Sequence, residues 1–382
     1  MAEGLGTAGC CAVSATIPVC GAVAQLGERL VRNEEVSGSI PLSSTNNLPY
    51  GTREDFVNSN RPGARIANRR TLGRTGLSVS SIGFGASPLG DVFGSVTVED
   101  GRAAVHHAID CGINLFDVSP YYGLTLAEER LGAALAGRRN EVVLATKCGR
   151  YGSNDFDFSA AKVTREFETS LRRLQTDYVD LLQVHDVEFG SVDQILHETL
   201  PALRRLQQQG KARFIGITGY WPHLLARIAR AAPVDTVLNY CHANLLMDDM
   251  DRELAPLAAE LGFGLMNASP LHMGLLSGQA VPEWHPAPAE VKRLAAEVVA
   301  LCRAQGMSPA TLALHSCLQN PAHASTFIGF KSAAQVDDAL GALDFVAPAG
   351  LMEEIRALVA PVFNTVWPSG LAENQPEVAH AG

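Results

Sequence analysis

From Arg69 onward the chain repeats one unit, a short apolar run followed by an amphipathic helical segment that often ends in glycine. SSIGFGA precedes VEDGRAAVHHAIDCG, NLFDV precedes LAEERLGAALAG, and EVVLATK precedes AAKVTREFETSLRRLQ. YVDLLQVH, ARFIGIT, DTVLNY, GLMNAS and STFIGF continue the series, each with its own helical partner. Apolar runs of this kind predict parallel strands buried on both faces and covered by helices. Eight units in about 290 residues predict an α/β fold, a closed (β/α)8 TIM barrel. RRTLGRTGLSVS, just ahead, predicts an N-terminal hairpin. The alternative is a doubly wound sheet, which carries a G-x-G-x-x-G turn after its first strand. GFGASPLG lacks that spacing. There is no G-x-x-x-x-G-K-[ST] phosphate loop, and HETLP is not H-E-x-x-H, so no metal site is expected.

Residues 1–68 show no sustained periodicity, and NSNRPGARIANRR reads as a polar linker. GAVAQLGERLVRNEEVSGSIPLSST resembles the peptide made when a transfer-RNA gene is read as protein. The stretch is therefore read as a spurious or disordered extension and excluded from the fold. The barrel is assigned to 69–368, and 369–382 to a flexible tail. A formal charge of -10 argues against nucleic acid or an anionic membrane as partner. No apolar run is long enough to span a bilayer. The N-terminal region lacks a basic segment ahead of an apolar one, so no secretory signal is expected. Of the eight cysteines, Cys111, Cys148, Cys241, Cys302 and Cys317 sit singly in apolar context, as buried thiols in a cytoplasmic protein would. With no coiled coil or large apolar surface stripe, the default assembly is a monomer or weak homodimer.

Three of the apolar runs stop at residues able to do chemistry. NLFDVSPYYG ends its run at Asp117 and carries Tyr122 in the following loop; VVLATKCG carries Lys147; VDLLQVHD carries His185. Parallel barrels place their chemistry at these strand ends. A free phenol, with a pKa of about 10, is a poor base at neutral pH. A nearby ammonium favours phenolate, and a buried ammonium needs a carboxylate. Lys147 and Asp117 can supply them, and His185 can hydrogen-bond the reacting oxygen. Each residue has a plainer reading: Lys147 and Asp117 a structural ion pair, His185 a satisfied core histidine, and Tyr121 in place of Tyr122 the active phenol. Four such groups on three consecutive strand ends favour proton transfer at a carbonyl or alcohol oxygen.

Asp117, Tyr122, Lys147 and His185 resemble, in identity and order, the catalytic tetrad of the aldo-keto reductases. LGRTGLSVSSIGFG, GKARFIGITG and the SPLxxG run of Ser269, Pro270, Leu271 and Gly274 also resemble that family. The likeness extends over about residues 70–368 and implies the barrel fold. It implies a nicotinamide cofactor at the barrel mouth without a Rossmann domain, with Tyr122 as the proton-transfer residue. The cofactor face it implies comprises Gly85, Thr218, Asn239, Ser269, Leu271, Gly274, Gly329, Lys331, Ser332 and Gln335. Longer segments such as GFGASPLGDVFG, LQTDYVDLLQVHDVEFGSVDQI and PEWHPAP resemble the family branch that oxidises aldoses of the L-galactose and L-fucose type at C1. Pyridoxal 4-dehydrogenase, a general NADPH-dependent aldehyde or ketone reductase, and a non-catalytic nicotinamide-binding subunit are the alternatives.

The chain departs from the common family pattern in places. Thr218-Gly219 replaces a Ser-Asn pair, Asn239 replaces a glutamine, and Ala268 stands where an aromatic residue commonly stacks on the nicotinamide. Gln335 occupies the position of an arginine that meets the 2′-phosphate, with Asp337 and Asp338 close by. This predicts NAD, with NADP as the alternative through Lys331. The loop HMGLLSGQAVPEWHPAP is the candidate substrate cover, with His272, Trp284 and His285 as sugar contacts. Its plainer reading is a surface loop packed by its own tryptophan. Asp186 and Glu188 are read either as sugar-hydroxyl contacts or as caps, and Trp367 either as a mouth cover or as an anchor for the tail.

Overall fold

The computed structural model describes residues 68–281 and 283–376. The extension 1–68 therefore lies outside the described residues apart from Asn68, as does the end of the C-terminal segment. Two short strands, β1 (Arg69–Thr71) and β2 (Ser78–Ser80), pair antiparallel, which bears out the expected hairpin. Eight strands follow: β3 (Ile82–Gly85), β4 (Leu115–Asp117), β5 (Val143–Cys148), β6 (Val179–Val184), β7 (Ala212–Gly219), β8 (Thr236–Tyr240), β9 (Gly264–Ala268) and β10 (Ser325–Gly329). All pair parallel with their sequence neighbours, and β10 closes on β3. This is the (β/α)8 barrel that the repeat pattern predicts.

The hairpin plugs the N-terminal end of the barrel. Leu72 and Val79 are buried with Leu115, Val143, Leu181, Leu238 and Met266 in one apolar cluster inside the barrel. Gly73 makes the plug fit. It adopts φ +49, and a Cβ there would stand 2.3 Å from Gly264 N. The Arg74 N–H donates to Gly262 O at 2.8 Å.

Helices cover the strands in the order α1 (Val98–Asp110), α2 (Leu126–Ala134), α3 (Ala160–Arg173), α4 (Val192–Gln194), α5 (Leu200–Gln208), α6 (Pro222–Ala231), α7 (Asp249–Leu261), α8 (Ala289–Ala304), α9 (Pro309–Leu318), α10 (Ala333–Gly341) and α11 (Leu351–Val359). Thr97, Ser159, Ser308 and Ser332 cap α1, α3, α9 and α10, each side chain accepting a backbone N–H. Removing one such cap costs about 1 kcal/mol. Between α4 and α5 the chain widens into a π turn over Ile195–Thr199. Pro201 accounts for it, because proline has no N–H to give the carbonyl four residues back and its ring crowds that carbonyl. The larger apolar cluster lies between helices and strands. All five cysteines of the barrel are buried and free.

The C-terminal segment departs from expectation. Residues 369–374, read as part of a flexible tail, are pinned across the loop after β6. Leu371 N donates to Glu188 O at 2.8 Å, and Asn374 Nδ2 donates to Glu188 O at 2.9 Å and Gly190 O at 2.8 Å. Trp221 Nε1 donates to Ser369 O at 2.8 Å. Gly370 permits the wrap, with φ +82 and Glu188 O only 2.3 Å from where its Cβ would lie. Trp367 anchors the segment by packing on Tyr220 at 5.1 Å between ring centroids.

Candidate active site

Strand register gathers the polar residues at one end of the barrel. Gly85 is level with Asp117, Lys147 with Gln183, Gly219 with Asn239, and Gly329 with Gly85. These are C-terminal strand positions, the end at which such barrels carry their sites.

Lys147 is the hub. Its Nζ donates to Asp117 Oδ2, to Val118 O at 3.0 Å and to Tyr122 Oη at 3.2 Å. Asp117 Oδ1 accepts from Gln183 Nε2 at 3.1 Å. The lysine is almost fully buried. Burial alone would lower its pKa, but Asp117 and Tyr122 outweigh it and hold the ammonium. Tyr122 behaves differently from the simple sequence argument. Burial raises its phenol to about 12, with Lys147 pulling it down and Asp117 and Asp186 pushing it up. The pull of the ammonium is present, but desolvation exceeds it.

His185 crosses Tyr122 edge-on, ring centroids 5.7 Å apart and planes at 89°. Burial lowers its imidazole to about 3, so it is neutral at ordinary pH. His185 Nδ1 lies 3.0 Å from Ser119 Oγ, and that oxygen already accepts from Tyr121 N at 3.1 Å. The Ser119 hydroxyl is thereby free to donate to Nδ1. That arrangement leaves the ring proton on Nε2, available to an oxygen ligand. Ser119 and Gln183 were not singled out from sequence. Gln183, the lone polar residue inside LLQV, carried the stronger signal.

The expected substrate contacts divide. His272 and His285 are buried and pack on Trp367, with centroids at 5.3 and 5.8 Å. Both ring nitrogens of His285 are occupied, Nε2 by His272 O and Nδ1 by Ala287 N. His285 is thus held by its own loop, while His272 keeps a buried Nε2 with no partner among the described residues. Trp284 is half-buried, 6.2 Å from Phe93.

The mouth residues fit a nicotinamide dinucleotide. Asn239 donates through Nδ2 to Gly219 O and Tyr220 O, both at 2.8 Å, while its buried Oδ1 has no partner among the described residues. An unpaired amide acceptor suits a carboxamide N–H. A cleft of about 400 Å³ is lined by Ser95, Val96, Thr97, Asp100, Lys331 and Ser332, bringing hydroxyls, an ammonium and a carboxylate to one place. Gln335 is exposed and folds back on its own loop, its Oε1 accepting from Lys331 N at 2.8 Å. Asp337 faces α1, its Oδ1 2.7 Å from His107 Nε2.

A parallel eight-stranded barrel with this lysine-bridged carboxylate and phenol defines the class: the chain belongs to the aldo/keto reductase family, whose pattern residues 81–360 match. It is a nicotinamide-dependent oxidoreductase acting on CH–OH groups. It is 46% identical to L-galactose dehydrogenase of Arabidopsis thaliana over 315 residues, 80% of this chain and 98% of that protein. It is 30% identical to D-threo-aldose 1-dehydrogenase of a Pseudomonas species over 73% of this chain and 94% of that protein. Among solved structures it resembles an aldo-keto reductase from Bacillus halodurans in its holo form, with TM-score 0.64 and 27% identity, covering 81% of this chain and all of the other. Among the described residues no helix is long and apolar enough to cross a membrane.

Proposed function

We propose that the protein oxidises an aldose of the L-galactose or L-fucose type at C1, using NAD, and releases the lactone. The observation that carries the chemistry is the Lys147 ammonium shared between Asp117 and the Tyr122 hydroxyl, 3.2 Å away. The extended likeness to L-galactose dehydrogenase supports the sugar substrate.

A cyclic aldose is a hemiacetal. Tyr122, as phenolate, takes the proton of its C1 hydroxyl, and Lys147 steadies the phenolate charge. Asp117, fixed by Gln183, keeps Lys147 charged and oriented. His185, neutral and braced by Ser119, hydrogen-bonds the reacting oxygen through Nε2. A bound nicotinamide would supply the hydride acceptor for C1. Asn239, Thr218 and Ser269 are the residues proposed to hold its carboxamide end, with Leu271 and Gly274 beside them. Lys331, Ser332 and Gln335 with Gly85 and Gly329 are proposed for the remainder of the cofactor. An uncharged Gln335, turned into its own loop, favours NAD over NADP because no guanidinium meets a 2′-phosphate.

The test follows NADH absorbance with the full chain, NAD and L-galactose, L-fucose or D-arabinose, with pyridoxal and NADP as controls. Oxidation of a sugar with NAD is the expected result. Silence with every sugar, together with turnover of pyridoxal or reduction of simple aldehydes by NADPH, would overturn the substrate assignment.

A further inference from the structure

Asp186 follows His185 directly and adopts φ 50, ψ 60, a left-handed conformation that a non-glycine residue takes up at a cost. Its N–H donates to Thr218 Oγ1 at 3.2 Å, tying the turn to the end of β7. The turn places Asp186 Oδ2 3.7 Å from His185 Nε2. The same oxygen pairs with Arg150 Nη1, and both side chains are largely buried. Arg150 lies over the Tyr121 ring at 3.7 Å and is flanked by Phe156 at 5.1 Å and Phe189 at 5.6 Å. Its Nε is buried and has no partner among the described residues. The proton-transfer chemistry assigned above uses neither residue.

The position of this pair has a chemical consequence. His185 Nε2 serves the oxygen that Tyr122 deprotonates. Adjacent carbons of a sugar hold their hydroxyl oxygens within hydrogen-bond reach of one another. An acceptor next to His185 Nε2 is therefore placed for the hydroxyl on the carbon beside the reacting one. A carboxylate only accepts and a guanidinium only donates, whereas a hydroxyl does both. The pair together matches a hydroxyl and offers nothing to a methylene.

We propose that Asp186, held by Arg150, is a specificity-determining residue that reads the 2-hydroxyl of the substrate, so that the enzyme selects α-hydroxy hemiacetals over analogues lacking that group. The inference rests on the aldose reading above and deepens it.

The experiment compares kcat/KM for L-galactose and 2-deoxy-L-galactose, with NAD and the full chain, in wild type and Asp186→Asn. Wild type is expected to favour L-galactose by about tenfold or more, since a site built to bond a hydroxyl discriminates strongly against its absence. Asp186→Asn is expected to bring that ratio towards one. Melting temperature and fluorescence titration with NADH establish that the variant is folded, and Arg150→Lys provides a second variant, in which the ratio should also fall. Equal use of both sugars by wild type overturns the inference and leaves the aldose reading standing. So does a variant that lowers both rates alike and keeps the ratio, because a purely structural ion pair would behave that way. Failure of wild type to oxidise either sugar overturns the aldose reading itself, and the inference with it.

Discussion

Glu188 Oε2 stands 2.7 Å from where a Cβ on Gly219 would lie. The carboxyl is fully buried, and its other oxygen accepts from Tyr220 N at 3.2 Å. The absence of a side chain at 219 is thus matched by a carboxyl from the loop after β6. Gly219→Asn, which would restore the common family pattern, is expected to collide with Glu188 and destabilise the fold by about 1–3 kcal/mol, as overpacking generally does. Chemical denaturation measures the loss. A variant as stable as wild type and tighter for NAD would mean that Glu188 yields easily.

Lys147 and Asp117 form a buried pair, with Tyr122 and Val118 O as further partners of the lysine and Gln183 of the aspartate. Lys147→Met leaves the carboxyl buried without its cation. Breaking a buried pair in this way costs about 3–5 kcal/mol, more than removing both charges together. The double variant Lys147→Met with Asp117→Asn is therefore expected to be more stable than the single one, while neither turns over substrate. The gap should narrow at acid pH, where the stranded carboxyl protonates. Urea denaturation of wild type, both singles and the double supplies the cycle, and purely additive losses would contradict the coupling.

The barrel was legible because eight apolar runs and the amphipathic helices between them follow periodicities that local sequence carries directly. The gathering of Asp117, Tyr122, Lys147 and His185 was legible because each interrupts or follows a buried run. Ser119 was not legible, since its importance lies in a contact with His185, 66 positions away in sequence. The burial of His272 and His285 against Trp367 depended on the C-terminal segment folding back, a long-range packing event with no local pattern. The same holds for the segment 369–374, whose polar sequence conceals hydrogen bonds to Glu188 and Gly190.

Glu188 should make stability depend on pH. Burial, reinforced by the charge of Asp186, raises its carboxyl to about 8, whereas an unfolded glutamate titrates at about 4.3. Between those values the folded chain retains a proton that the unfolded chain has released, so stability falls as pH rises through this window. Glu188→Gln removes the titration while keeping an acceptor for Tyr220 N. Relative to wild type, the variant is expected to gain in melting temperature from about pH 5 to about pH 8. Parallel curves for the two proteins would mean that Glu188 does not hold its proton.

Tyr122 sets the pH dependence of the reaction. Oxidation needs the phenolate, and burial places the phenol at about 12 with Lys147 offsetting only part of the rise. The deprotonated fraction therefore grows with pH across the neutral and mildly alkaline range. The logarithm of kcat/KM for oxidation is expected to climb with a slope of about one between about pH 7 and about pH 10. Reduction needs the protonated phenol, which stays abundant over the same range, so its profile should be flat there. His185, lowered to about 3, adds no inflection near neutrality. Tyr122→Phe removes the proton acceptor and should cost about 10²–10⁴ in rate while NADH still binds. A histidine-like inflection near neutral pH that survives in Tyr122→Phe would transfer the proton step to another residue.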